Sequence, residues 1–215
     1  MNTKLVTIFV LVLGLSAVST YAALVSYGWE DGTGTILGSF GNLVNPTNVG
    51  APDPVHTGNR ALRVTEHPHE NTPEAYLAFV TNLNDGDSVG AGFFGYDTTI
   101  DDYPEMRIWA HYATSDNIFN YQGSASGNTT YTSGIGWEEL THLWTFDSDG
   151  GTRDALVIVA RLYSYPVTDP DASTDYFIDD LWVRAPDTAT IYTAPEPTTM
   201  LLLGFGMVLL KTRKV

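Results

Sequence analysis

The chain of 215 residues contains no cysteine, so neither disulfide bonds nor a thiol nucleophile contributes to its fold or chemistry. Lysine is also missing from the long central stretch, because Lys4, Lys211 and Lys214 are its only occurrences. Residues 23–196 therefore set six arginines against 25 acidic residues, which gives a net charge of −19. A surface of this charge repels nucleic acid and anionic lipid, so we expect neither as a partner.

Signatures of catalysis are scarce as well. The chain has no Gly-x-Ser-x-Gly nucleophile motif and no glycine-rich phosphate-binding loop. The 25 acidic residues would place some carboxylate pairs at the separation that glycosidases use by chance alone, so their number indicates nothing. We therefore predict that the protein is not an enzyme.

The N-terminus has the parts of a secretory signal peptide. Lys4 precedes an apolar run over 5–15, and the small residues Thr20 and Ala22 occupy positions −3 and −1 relative to a cleavage site after Ala22. The sequence therefore predicts a signal helix within 1–22, removed after Ala22 during export.

The C-terminus combines the triplet Pro195, Glu196 and Pro197 with an apolar run over 200–210 and a basic end. This combination resembles the PEP-CTERM sorting signal of Gram-negative, exopolysaccharide-producing bacteria. The resemblance implies export to the cell envelope, outer surface or extracellular matrix, with an exosortase-type enzyme removing the tail near the triplet. As a helix, the run would reach only about 16 Å across roughly 30 Å of hydrocarbon, which favours transient membrane insertion. The alternative is an ordinary C-terminal membrane anchor.

Between these signals, short apolar or alternating runs recur between clusters of turn-forming residues, a pattern typical of an all-β sandwich. There are eight such runs, and eight strands make a jelly roll, so we predict a jelly-roll β-sandwich over 23–186. The predicted strands are 25–30, 61–65, 75–81, 88–96, 106–113, 140–146, 155–163 and 176–184. The connecting segments are predicted as a tight hairpin over 82–87, a long surface loop over 114–136, and a linker over 187–194 before the sorting signal at 195–215.

Residues 176–183, with the sequence Tyr-Phe-Ile-Asp-Asp-Leu-Trp-Val, resemble the last strand of the carbohydrate-binding-module jelly rolls, also called galactose-binding-like domains. Residues 28–32, Gly-Trp-Glu-Asp-Gly, resemble the opening of the same families. Residues 58–64 contain a similar Gly-x-x-Ala-Leu segment. The resemblance therefore spans most of the predicted sandwich.

The resemblance implies a structural calcium ion, held between the first and last strands by an acidic residue from each. Matched by motif, the ligands are Glu30 and Asp179 first, with Asp31 and Asp180 next, and such carboxylates supply the oxygen ligands that calcium prefers. Strict alternation puts Asp179 on the same face as Leu181, toward the core, where an unpaired carboxylate is costly. The alternative is that Asp179 caps a turn or accepts hydrogen bonds from backbone amides.

Two other strands predict a candidate glycan site. Alternation over 105–112 and over 155–163 sends polar and aromatic side chains to one side of each strand. These side chains are Arg107, Trp109 and His111 from one strand and Arg161 and Tyr163 from the other. If the strands are neighbours, the face combines an aromatic plane with forked hydrogen-bond donors, as sugar sites require. The alternative is that the 114–136 loop covers Trp109 and that Arg161 pairs with an acid.

The sequence as a whole predicts an exported, exosortase-processed protein of the envelope or matrix, whose non-catalytic sandwich binds extracellular polysaccharide and holds calcium. The second hypothesis is a purely structural surface or matrix protein that binds no glycan. A glycan-active hydrolase or lyase is the third and least favoured alternative.

Overall fold

The computed structural model describes residues 21–32, 35–69, 72–98, 104–164 and 172–194. These residues form twelve β-strands and one turn of 3₁₀ helix at Asp149–Gly151. The strands are β1 (Tyr21–Tyr27), β2 (Gly38–Phe40), β3 (Leu43–Val49), β4 (Ala61–Glu66), β5 (Glu74–Thr81), β6 (Ser88–Asp97), β7 (Glu105–Ala113), β8 (Ser124–Gly127), β9 (Gly136–Thr145), β10 (Ala155–Tyr163), β11 (Thr174–Pro186) and β12 (Thr190–Thr193).

The two predicted terminal helices lie outside the described residues, except that Tyr21 and Ala22 begin strand β1. The Pro-Glu-Pro triplet also lies outside the described residues. No helix in the described ranges has the length and apolar character needed to cross a membrane.

The strands form two antiparallel sheets, which we call the first and second sheets. The first has the order β3-β4-β11-β6-β9, with β1 also paired to β11. The second has the order β12-β5-β10-β7-β8, with β2 also paired to β5. The prediction of an all-β sandwich is confirmed.

The core lies between the sheets and draws alternate side chains from both. The first sheet contributes Val64, Phe93, Leu140 and Ile178, and the second contributes Leu77, Ile108, Ile158 and Leu162. Each of these side chains is at most 1% exposed, and full burial of such a group contributes about 1.5–3 kcal/mol. Hydrophobic burial thus stabilises this fold, as disulfides do in small secreted domains.

All eight predicted strands are present, but the predicted number of strands is wrong because four more exist. These are β2, β3, β8 and β12. The strands β3 and β8 lie at sheet edges, and β2 and β12 are only three and four residues long. Short and half-exposed strands carry little apolar alternation, so their sequences do not predict them. Strand β8 lies within the predicted 114–136 loop, and β12 lies within the predicted linker, where it pairs with β5.

The prediction of a tight hairpin over 82–87 is wrong. Gly86 does have a positive φ of 81°, as its turn chemistry predicts. However, β5 and β6, which this segment joins, belong to different sheets, and Leu83 packs into the core between them. Turn residues indicate where the chain reverses, and they do not specify which strand becomes the partner.

Strict alternation along β11 is also wrong. The register against β6 shifts between Asp179 and Trp182, so that Asp180 and Leu181 together face one residue of the partner strand, and Asp180 has a φ of 48°. This is a β-bulge, and its extra residue reverses the alternation, so the side chains before it point to the opposite face from the one that strict alternation predicts. As a result Ile178 and Leu181 both point into the core, whereas Asp179 lies on the outward side of the first sheet.

Candidate functional site

The outward face of the second sheet gathers the five residues predicted for a glycan site. Strands β7 and β10 pair so that Trp109 is opposite Val159 and Arg107 is opposite Arg161. On the other side of β10, strand β5 places Glu74 opposite Arg161. The predicted adjacency of the two strands is therefore present, and the role of their side chains in glycan binding stays a prediction.

A cleft of about 530 Å³ opens on this face. Its lining residues are Phe40, Thr72, Glu74, Tyr76, Trp109, His111, Phe119, Tyr121, Ser124 and Arg161. Three predicted residues line it, namely Trp109, His111 and Arg161, while Arg107 and Tyr163 lie beside it. We call this site the cleft.

The cleft has an apolar floor and aromatic walls. Tyr76, Val157 and Val159 form a small buried cluster on the outward side of the sheet, and Trp109 packs against it. The walls are exposed rings that come from outside the central strands, with Phe119 and Tyr121 at 62% and 64% exposure. Strand alternation does not predict these walls, although the aromatic residues in the 114–136 segment are a signal of them.

Trp109 is held in place without being sealed from solvent. Its indole Nε1 donates a hydrogen bond of 3.0 Å to the hydroxyl of Ser124 on β8. Gly127 of β8 packs against the indole edge, where a Cβ atom would come within 3.0 Å of it. The segment predicted to cover Trp109 therefore orients the ring, and the ring still lines the cleft.

Arg161 and Glu74 lie near each other in the cleft without a close hydrogen bond between them. Arg161 donates from Nη2 to the hydroxyl of Thr72 at 3.0 Å, while its Nε lies 3.7 Å from Oε1 of Glu74 and is buried without a hydrogen-bond partner. Burial raises the pKa of Glu74, and the neighbouring Arg161 opposes this shift. Both groups thus keep hydrogen-bonding capacity toward the cleft.

His111 is 3% exposed, and burial lowers its pKa to about 4 despite an opposing backbone hydrogen bond at Ile118. The imidazole is therefore neutral at pH 7, so its 3.7 Å approach to Oε2 of Glu74 is not an ion pair. Its Nδ1 is buried and has no hydrogen-bond partner. A buried polar atom without a hydrogen-bond partner costs about 1–3 kcal/mol.

Beside the cleft, Arg107 stacks among three aromatic rings. Its guanidinium carbon lies 4.5 Å from the ring centre of Trp109, 5.0 Å from that of Tyr131 and 4.8 Å from that of Tyr163. Arg161 also lies over Trp109, at 5.2 Å. Cation–π contacts of this kind fix the rings in place, so the surface beside the cleft is ordered before any ligand arrives.

The predicted calcium ligands lie at the bulge of β11, under the loop of residues 56–60. Asp179 is fully buried there, and its Oδ2 accepts hydrogen bonds from the backbone amides of His56 at 3.0 Å and Thr57 at 3.2 Å. Its Oδ1 accepts from the amide of Asp180 at 2.8 Å. Burial raises the pKa of Asp179 to about 6, and these amide hydrogen bonds limit the rise.

The neighbouring acids use the same loop. Glu30 accepts hydrogen bonds from the amides of Asn59 at 3.0 Å and Arg60 at 3.1 Å. Asp180 accepts from the hydroxyl of Thr57 and lies 2.7 Å from Nδ1 of His56.

Backbone amides already donate hydrogen bonds to the carboxylates of Asp179 and Glu30. Backbone N–H dipoles point at the carboxylates where a cation would approach, and the described ranges contain no group of three or more His, Asp or Glu side chains that could hold a metal ion. The geometry matches the alternative in which Asp179 accepts hydrogen bonds from backbone amides. Calcium binding, including any part for the exposed Asp31, stays a prediction.

Comparison with known proteins supports two parts of this description. Residues 193–214 match the PEP-CTERM protein-sorting motif, so the tail is a sorting signal that implies export and an exosortase partner. No curated protein matches the chain in sequence.

In fold, the chain is similar to the CBM22-2 xylan-binding domain from Paenibacillus barcinonensis Xyn10C, with a TM-score of 0.50 and 15% identity over 75% of this chain and 98% of that domain. It is also similar to the CBM22-1-CBM22-2 tandem domain of the same protein, with a TM-score of 0.52 and 17% identity over 84% of this chain and 49% of the tandem. At these identities the likeness concerns the fold alone. The sandwich thus shares the fold of these domains.

Proposed function

We propose that this protein is exported, processed by an exosortase-type enzyme at its PEP-CTERM tail, and binds a polysaccharide of the envelope or extracellular matrix in the cleft without cleaving it. The observation that carries the proposal is the composition of the cleft. Aromatic rings held in place lie next to buried polar atoms that have no hydrogen-bond partner.

Each part of the cleft suits one part of a sugar ring. The rings of Trp109, Phe119 and Tyr121 suit the apolar C–H face of a pyranose. Arg161 offers its Nε as a donor to hydroxyl groups, and Glu74 and the neutral His111 offer acceptors. Because the described cleft lining is nearly balanced in charge, with one arginine and one carboxylate, a neutral polysaccharide is the expected ligand class.

The number of carboxylates favours binding over hydrolysis. Glycosidases of the usual kind place two carboxyl groups on either side of the bond they cleave. Among the described residues that line the cleft, Glu74 is the only carboxylate. A lone carboxylate paired with Arg161 suits hydroxyl recognition, and this supports a role other than that of a glycan-active hydrolase or lyase.

Affinity electrophoresis of the mature protein through gels that contain xylan, mixed-linkage β-glucan, galactomannan or dextran tests the proposal. We expect retardation by at least one of these neutral polymers, and Trp109→Ala to weaken it about tenfold or more, as loss of a central aromatic contact does. Arg161→Ala should also weaken it, whereas the matched control Arg63→Ala, on the first sheet, should not. Unchanged mobility in all four gels would favour the purely structural protein.

A further inference from the structure

A second tryptophan lies flat on the opposite side of the sandwich. Trp182 of β11 alternates with the core residues Leu181 and Val183, so it points outward from the first sheet. Beneath its indole are Gly90 and Gly92 of β6, and a Cβ atom at Gly92 would lie only 2.7 Å from the indole Nε1. Any other residue at Gly92 would lift the ring, so the glycine allows the indole to lie on the sheet.

The indole is oriented by one acidic and one basic residue. Its Nε1 donates a hydrogen bond of 3.0 Å to Oε1 of Glu139, and the guanidinium of Arg184 lies 5.1 Å from the ring centre. Within the described part of the chain, Arg184 forms no salt bridge. These groups line a shallow groove of about 690 Å³ with Thr141 and Leu143, whose side chain is 60% exposed.

The groove repeats the chemistry of the cleft. In the cleft, Arg161 lies 5.2 Å from the ring centre of Trp109, and Glu74 is beside it. In the groove, Arg184 likewise lies 5.1 Å from the ring centre of Trp182, whereas Glu139 accepts a hydrogen bond from the indole Nε1. The cleft and the groove thus each combine a tryptophan with an arginine and a glutamate.

We infer that the Trp182 groove is a second polysaccharide-binding site, so that one molecule holds two polysaccharide chains, one on each face. The inference takes its ligand class from the proposed function. A neutral polysaccharide is the expected occupant, because Glu139 and Arg184 balance each other and the open indole with Leu143 offers apolar surface for a sugar face. An acidic partner would be repelled by the net charge of −19.

The position of the two sites predicts cross-linking. Two packed sheets lie about 10 Å apart, and the sites are on their outward sides, so the whole thickness of the sandwich separates them. Two polymer chains held in this way are joined through the protein, and multivalent contacts strengthen the resulting network.

The test compares wild type, Trp109→Ala, Trp182→Ala and the double variant on the four soluble polysaccharides named above. Affinity electrophoresis measures binding, and turbidity with co-sedimentation measures cross-linking. We expect wild type to bind and cross-link, each single variant to keep retardation but lose most of the cross-linking, and the double variant to lose both. If Trp182→Ala does not fold, the double variant Arg184→Gln with Glu139→Gln gives the same test without removing the indole. Arg63→Gln is the matched control.

Four results would overturn the inference, and they differ from one another. If Trp109→Ala alone abolishes all binding, the cleft is the only site. If Trp182→Ala cross-links as well as wild type, the groove is not a binding site. In both cases the proposed function stands. If wild type is a dimer by light scattering and Trp182→Ala is a monomer with unchanged glycan binding, the groove is a self-association surface. If wild type binds none of the four polymers, the proposed function itself fails.

Discussion

The cleft of the second sheet and the acidic cluster at the bulge of β11 are both partly buried polar sites, but their hydrogen bonding differs. At the cluster, three backbone amides donate hydrogen bonds to Asp179, so its carboxylate has little capacity left to bind a ligand. In the cleft, Nδ1 of His111 and Nε of Arg161 are buried and have no hydrogen-bond partner. Since an unpaired buried polar group costs free energy that a ligand can recover, polar satisfaction separates a structural site from a binding site.

Loss of the Asp179 carboxylate is expected to have the largest effect of any change at these sites. Asp179→Ala leaves three partly buried amides without their acceptor, so we expect a loss of about 2–4 kcal/mol in the free energy of unfolding, measured by urea denaturation. Asp179→Asn retains one acceptor oxygen and should cost less. A change below about 1 kcal/mol in Asp179→Ala would show that the amides find other acceptors and would remove the contrast between the two sites.

The opposite pattern is expected in the cleft. His111→Leu removes an unpaired nitrogen together with one backbone hydrogen bond, so the free energy of unfolding should change by no more than about 1 kcal/mol. Glycan affinity, measured by affinity electrophoresis, should fall about tenfold because a hydroxyl loses its acceptor. A large loss of stability with intact binding would instead make His111 a structural core residue.

The two sites should also respond to pH with opposite signs. Burial raises the pKa of Asp179 to about 6, so folding favours its protonated form, and the free energy of unfolding falls as the pH rises from about 4 to 6. The pKa of His111 is lowered to about 4, so its contribution is complete above pH 6.5 and is lost as the pH falls toward 4. Each effect is on the order of 2–3 kcal/mol.

Urea midpoints between pH 4 and pH 7 for wild type, Asp179→Asn and His111→Leu separate these terms. Relative to wild type, Asp179→Asn should become more stable as the pH rises, and His111→Leu should become more stable as the pH falls. Parallel profiles for all three proteins would contradict both assignments.

The smallest effect is expected from a chelator. Because amides already occupy the carboxylates of Glu30 and Asp179, the melting midpoint with excess EDTA should equal that in calcium chloride. A midpoint several degrees higher in calcium would restore the predicted calcium site and would show that the 56–60 loop rearranges around the ion.

Several features of the site could be predicted from local sequence because they depend on alternation alone. The outward placement of Trp109, His111 and Arg161 follows from a period of two in regular strands, and β7 and β10 contain no bulge between them. The same rule failed for Asp179, since a single inserted residue in β11 reverses the face of the side chains that precede it. A bulge depends on the partner strand, and the sequence of one strand does not reveal it.

The sequence by itself determined the all-β class, the positions of eight strands, the acidic cysteine-free composition and the PEP-CTERM tail, because each depends on neighbouring residues or on composition. Only the tertiary structure decided which strands pair, how Phe40, Phe119 and Tyr121 form the walls of the cleft, and which buried polar atoms find partners. It also placed Trp182 over Gly90 and Gly92 on a neighbouring strand. These features join residues far apart in the chain, and pairing between distant strands is a property of the packed sandwich rather than of any segment.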